Sequence, residues 1–196
     1  NIHFEGANLK YCDFQDGKVH DCFFENTNLA HSDLKGATIN NCHFKESDCS
    51  SINLRGGRLI NCDFSDADIK NVSLDTTIID QKTTFGKILK SEKEGSYHLA
   101  SIEYKQIKEM YKNSSLHKEA DAYHYQEMVS KRKIIDVKSP VRWFNFLFGD
   151  LLCKYGTSFT RVLFWSTGVI MLCAFLQKFE NSLLYHNKAT DISFLD

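Results

Sequence analysis

Large apolar residues stand at every fifth position from Phe4 to Ile79: Phe4, Leu9, Phe14, Val19, Phe24, Leu29, Leu34, Ile39, Phe44, Leu54, Leu59, Phe64, Ile69, Leu74 and Ile79. Only Cys49 interrupts the set, and a thiol is itself readily buried. Two positions before each lies a second set, mostly small: Ala7, Cys12, Gly17, Cys22, Thr27, Ser32, Ala37, Cys42 and onward. The remaining positions are mostly Asn, Asp, Lys, Glu, His and Ser. A period of five fits neither the strand period of two nor the helix period of 3.6. It requires a chain that turns a corner every five residues and points its apolar and small residues inward. Four such sides close a coil of twenty residues, and coils stack at the β spacing of about 4.8 Å. Residues 1–80 are thus predicted to make four coils of a right-handed, quadrilateral β-solenoid, in a protein of mainly β class.

A period of twenty follows from that geometry, and it is present. Phe4, Phe24, Phe44 and Phe64 form one column, with Ile2, Cys22, Cys42 and Cys62 beside it. Phe14, Leu34, Leu54 and Leu74 form another, and Val19, Ile39, Leu59 and Ile79 a fourth. Like stacks on like, as expected where each coil packs only on its neighbours.

After Asp80 the five-residue beat stops. Residues 81–95 read as a cap or linker over the open end of the rod, where unpaired strand edges need cover. Residues 96–135 read as a helical hairpin. Its first helix places Ala100, Tyr104, Ile107 and Tyr111 on one face, and its second carries Leu116, Ala120, Tyr123 and Met128. Asn113-Ser114-Ser115 breaks the two, and a serine there is expected to cap the second helix. From Pro140 to residue 196 the texture changes to an aromatic and basic stretch, with Trp143, Phe144, Phe146 and Phe148, and then a long apolar run. Phe159 to Phe179 is long enough to span a bilayer as a helix, with Arg161 and Lys178 near its ends.

The repeats carry a resemblance. Ala7-Asn8-Leu9, Cys12-Asp13-Phe14, Ser32-Asp33-Leu34, Cys62-Asp63-Phe64 and Ala67-Asp68-Ile69 match the motif of the pentapeptide-repeat family, a small residue, Asn or Asp, then Leu or Phe. Lys18, Phe23, Arg58 and Ile78 depart from it at the Asn/Asp slot. The resemblance implies the solenoid fold over residues 1–80 and leaves function open. The order of solenoid, Tyr-rich hairpin, aromatic-basic stretch with Tyr155-Gly156 and apolar helix also resembles microbial pentapeptide-repeat proteins fused to a two-helix ion-channel domain. No Thr-x-Gly-Tyr-Gly filter stands in these 196 residues, so this second likeness is one of architecture. The chain opens inside a repeat, at Asn1-Ile2-His3-Phe4, and reads as a piece of a longer protein.

Charge divides the chain. Residues 1–80 hold 7 Lys/Arg and 13 Asp/Glu, a net of −6, whereas residues 81–196 hold 17 and 12, a net of +5. Lys131, Arg132, Lys133, Lys138, Arg142, Lys154 and Arg161 precede the apolar run, and only Lys188 follows Lys178. The positive-inside rule then places the solenoid in the cytoplasm of a membrane-associated protein. The acidic rod also admits a rival reading. Some pentapeptide-repeat proteins mimic duplex DNA and bind a type II topoisomerase, and this rod carries about half the duplex charge density.

Candidate chemistry is sparse. Cys12, Cys22, Cys42, Cys49 and Cys62 all fall in inward slots, without Cys-x-x-Cys spacing, and read as core thiols. His117, Asp121 and His124 share one helix face, and Asp121 with His124 has the carboxylate-x-x-His spacing of helix-bundle metal sites. The first helix offers Glu103 and Glu109 but no matching motif, so the face reads as solvated. Phosphate-binding glycine loops, His-Glu-x-x-His and Gly-x-Ser-x-Gly are absent from the sequence. The expectation is a non-enzymatic scaffold with no catalytic, cofactor or metal residues. Its expected partners are proteins along the solenoid face, a membrane and a further copy of itself, without direct nucleic-acid binding.

Overall fold

Every fifth residue of the repeat turns a corner in left-handed backbone. Positive φ recurs at Gly6, Tyr11, Asp16, Asp21, Asn26, His31, Gly36, Asn41, Glu46, Ser51, Gly56, Asn61, Asp66, Asn71 and Thr76. Most of these are Gly, Asn or Asp, the residues that reach this region at least cost. At most corners a four-residue turn closes with a carbonyl-to-amide bond, as from the Ala7 N–H to Phe4 O at 2.9 Å. The computed structural model describes the backbone of residues 2–192 and the side chains of 2–178. Asn1 and residues 193–196, with the side chains of Phe179 and Lys188 that entered the reading above, lie outside the described residues.

Successive coils pair in parallel with a register of twenty. Strands β1 (Ile2–His3) and β3 (Cys22–Phe23) pair Ile2 with Cys22. Strands β2 (Lys18–His20), β4 (Thr38–Asn40), β5 (Arg58–Ile60) and β6 (Ile78–Ile79) form one four-stranded side, in that order. Single bridges such as Asn8 to Asn28 and Asp13 to Asp33 mark the other sides. The Phe column stacks face to face, with ring centroids 5.1, 4.8 and 4.4 Å apart from Phe4 through Phe64. Phe44 is 1% exposed. The first coil is less enclosed: Phe4, Leu9, Phe14 and Val19 are only partly buried.

Two expectations change here. The protein is not mainly β, since 42% of it is helical against 15% strand. Each solenoid side commits only one to three residues to a ladder, while the helices commit whole segments. The coil also runs past residue 80. Asp63 bridges Thr84, one residue beyond the register of twenty, and Phe85 stacks on Phe64 at 5.0 Å.

Helices α1 (Lys90–Lys93), α2 (Tyr97–Asn113) and α3 (His117–Ile134) follow. Ala100, Tyr104, Ile107 and Tyr111 of α2 and Ala120 and Tyr123 of α3 are buried, as the periodicity predicts. Leu116 and Met128 are only partly so, and Glu127 is buried in their stead. Neither serine caps α3. Its N-cap position is Leu116 and makes no side-chain bond, because Ser114 points to the solenoid instead.

A short helix α4 (Pro140–Phe144) follows, and the chain divides into two compact units, Asn1–Trp143 and Phe144–Asp196. In the second, a π-helical segment (Asn145–Leu152) and a single 3-10 turn (Lys154–Gly156) lead into α5 (Phe159–Ile192). Gly149 lies under the Tyr155 ring, where a Cβ would meet Cε1 at 2.5 Å. Within α5, Phe159–Lys178 is long and apolar enough to cross a membrane, and none of that window is buried.

Candidate functional site

The motif residues of the solenoid are spent on its own backbone. The Asn/Asp slot accepts the N–H two residues on, as Asp13 Oδ1 does from Gln15 at 2.9 Å and Asp48 Oδ1 from Ser50 at 3.0 Å. The small slot turns its hydroxyls inward: Ser32 Oγ donates to Leu29 O and Ser47 Oγ to Phe44 O, both at 2.6 Å. Where the turn bond is missing, after Val19, Ile39 and Leu59, the slot holds Cys22, Cys42 and Cys62. Their thiols donate to the carbonyls of His20, Asn40 and Ile60 at 3.2, 3.3 and 3.4 Å. Burial pushes the Cys42 thiol up to about 11 and those of Cys49 and Cys62 up to about 12. These are inert core thiols rather than nucleophiles.

What the solenoid offers outward is a set of ladders. His3, Phe23 and His43 stack on one side with centroids 4.7 and 5.2 Å apart. Tyr11 stacks on His31 at 5.2 Å. Asn61 Nδ2 donates to Asn41 Oδ1 at 2.7 Å, and Asn41 Nδ2 to Asp21 Oδ1 at 2.5 Å. The strand side carries Lys18, Thr38, Arg58 and Ile78 in one column.

At the other end, tyrosines tie the helices to the last coil. Tyr104 Oη donates to Glu92 Oε2 at 2.6 Å and accepts the Leu89 N–H at 3.0 Å. Tyr111 Oη donates to Thr83 O at 2.6 Å. Tyr123 Oη accepts the Phe85 N–H and donates to Gly86 O. Burial pushes all three phenols above their usual range. Lys108 Nζ of α2 donates to Glu127 Oε2 of α3 at 2.7 Å, and within α3 Lys131 Nζ donates to Oε1 at 2.5 Å. Burial alone would raise the Glu127 carboxyl, but these two bonds outweigh it and hold the group below the usual carboxylate range. Glu103 differs. One of its oxygens accepts from Ser91 Oγ while Oε1 has no partner, and burial raises its carboxyl above the usual range.

The helix-face candidates do not converge. His117 and Asp121 are exposed, and His124 Nδ1 stands 3.7 Å from Glu127 Oε2. Glu103 turns to Ser91, and Glu109 pairs with Lys108 and Lys112. Among the described residues no three His, Cys, Asp or Glu side chains are grouped to hold a metal ion. The sequence reading gave the turn serines a capping role, and it missed Phe85 and the buried carboxylates Glu92 and Glu127. Of these only Phe85 left a trace, a Phe twenty-one residues after Phe64.

Corners every five residues, a register of twenty and an inward phenylalanine column define a four-sided repeat solenoid. Residues 7–45 and 47–77 match the family of pentapeptide repeats, in eight copies. Solved structures similar to it include HetL, a pentapeptide repeat protein involved in heterocyst differentiation regulation from the cyanobacterium Nostoc sp. strain PCC 7120. It is 20% identical with a TM-score of 0.36, over 38% of this chain and 35% of that one. QnrB1, a plasmid-mediated fluoroquinolone resistance protein, is 17% identical with a TM-score of 0.32, over 39% of each chain. The chain thus spans less than two fifths of the length of either. No curated protein matches the sequence.

Proposed function

We propose that this chain is a non-enzymatic scaffold, with a solenoid that binds protein partners in the cytoplasm and an apolar helix in α5 that holds it to a membrane. The observation that carries the reading is Phe159–Lys178, apolar throughout its middle and with none of its window buried. Phe164, Ile170, Met171 and Phe175 are each more than 60% exposed, a cost in water that a bilayer removes. The basic residues on its N-terminal side favour the cytoplasm for the solenoid. The solenoid's own features support a binding role. Its polar motif atoms are engaged in turns, so the outward ladders are what a partner meets. We assign the partner to the His3–Phe23–His43 side, where the stacked rings give a rigid, partly exposed aromatic surface. The coil winds right-handed and copies associate through the apolar helix in this reading.

Membrane fractionation of the full-length protein tests it. The expected result is recovery in the membrane pellet, resistant to alkaline carbonate and released by detergent. A monodisperse soluble species without detergent would overturn the membrane assignment, and α5 would then be a helix covered by another protein surface. Phe23→Ala should weaken capture of cytoplasmic partners while leaving fractionation unchanged.

A further inference from the structure

The third side of each of the first three coils is bonded to the next by the same four groups. In coil one the N–H groups of Tyr11, Phe14 and Asp16 donate to the carbonyls of Ala30, Asp33 and Lys35, and Cys12 O accepts the Asp33 N–H. In coil two His31, Leu34 and Gly36 donate to Ser50, Asn53 and Arg55, and Ser32 O accepts from Asn53. In coil three Ser51, Leu54 and Gly56 donate to Lys70, Ser73 and Asp75, and Ile52 O accepts from Ser73. The matching groups of coil four are the N–H of Asn71, Leu74 and Thr76 and the carbonyl of Val72. Among the described residues no group bonds to any of these four. The first and fourth sides of that coil are served, the first by Thr84 on Phe64 and Cys62, the fourth by Ser114 on Ile79.

The open edge is also accessible. A groove of about 500 Å³ runs along residues 71–75, walled opposite by α2 through Ile102, Lys105, Glu109 and Met110. That volume lies within the range of ligand clefts. Ile102 is 44% exposed on this wall although it is a large apolar residue. An unpaired strand edge beside an apolar wall is the arrangement that takes up an extended peptide by strand addition.

We propose that this groove binds an extended peptide segment of a partner protein, laid parallel to residues 71–76 as a fifth-coil strand. The inference rests on the interaction-module reading above and locates one of its sites. The three preceding interfaces prescribe the ligand's chemistry. Its first residue gives a carbonyl to Asn71. Three residues on, one residue gives its N–H to Val72 and its carbonyl to Leu74. Two further on, a carbonyl meets Thr76. The residue between those last two is apolar and seats against Leu74, Ile102 and Met110.

The probe is the blocked heptapeptide Lys-Asn-Val-Ser-Leu-Asp-Thr, the chain's own residues 70–76, which fills this role on coil three. It is titrated into the full-length, 15N-labelled protein in detergent micelles. The expected result is saturable movement of the Asn71, Leu74 and Thr76 amides with a Kd on the order of 1 mM or tighter. N-methylation of the peptide's serine, which removes the N–H meant for Val72, should weaken binding about tenfold. N-methylation of its valine, whose N–H is not used on this edge, should not. Ile102→Trp should block the groove without disturbing the exposed helix face it sits on. Absence of saturable shifts, shifts elsewhere, or indifference to serine methylation would overturn the proposal. Capture of partners that depends on Phe23 yet survives Ile102→Trp would leave the scaffold reading standing while this site falls.

Discussion

Ser114 Oγ, in the turn between the two long helices, accepts the N–H of Ile79 at 3.1 Å. Ile79 is the last residue of the solenoid's strand side, so a loop hydroxyl takes the place a fifth strand would fill. Ser114→Ala would strand that N–H at a nearly buried residue, at a cost of about 1 kcal/mol. The measurement is hydrogen exchange at the Ile79 amide, which should speed up by about fivefold at neighbouring conditions of equal global stability. Unchanged protection there would show that the hydroxyl is incidental.

Phe44→Ala and Phe85→Ala should both be severe, about 3–5 kcal/mol each. Both rings are 1% exposed in the same stack, although Phe85 lies after the repeats end in sequence. Chemical denaturation of the two variants checks this. A mild effect at Phe85 alone would mean that the coil ends at Asp80.

Glu103 and Glu127 should pull stability in opposite directions with pH. Glu127 has a lowered carboxyl pKa when folded, so its contribution is present above its ordinary value of 4.5 and is lost as pH falls through the lowered one. Glu103 has a raised one, so folding binds a proton and stability declines as pH rises from 4.5 through the raised value. Glu103→Gln keeps a partner for Ser91 and removes the proton linkage. Thermal unfolding across pH 4 to 8, on the order of the carboxylate range, should show the variant gaining over the parent as pH rises. A constant offset between the two curves would refute the linkage.

A type II topoisomerase should not be captured by the chain at physiological salt. The acidic residues that suggest mimicry are partly committed to turns, as Asp13, Asp33, Asp48 and Asp63 each accept a backbone N–H. Pull-down with purified enzyme decides it. Binding that weakens steeply as salt rises would favour the DNA-mimic reading over the scaffold.

The solenoid was legible because its constraint is local and repeated. A period of five with fifteen of sixteen apolar slots filled leaves one geometry, and Phe44 lies where that register puts it. Its end was not legible, because the extra residue between Asp63 and Thr84 breaks the beat while the pairing continues. The class assignment failed for a related reason: a coil side needs few residues in ladder geometry, so eighty residues of solenoid add little strand. In the hairpin, apolar spacing found Tyr104 and Tyr111 but not Lys108 and Glu127. Charged residues read as surface until a partner on another helix, here 2.7 Å away, allows burial. Ser114 read as a helix cap, and its bond to Ile79 was not legible because that partner is thirty-five residues distant in sequence.

The constant register of twenty makes each coil interchangeable with the next. Val19 lies on Ile39, Ile39 on Leu59 and Leu59 on Ile79, each step in the same parallel register. A chain that gained or lost one twenty-residue block, such as 41–60, would meet the same edge on both sides of the splice. The rod can therefore lengthen or shorten by duplication and excision in whole coils, with the helices still finding the same landing surface. A change of any other length rotates every later side by part of a turn and detaches them from it.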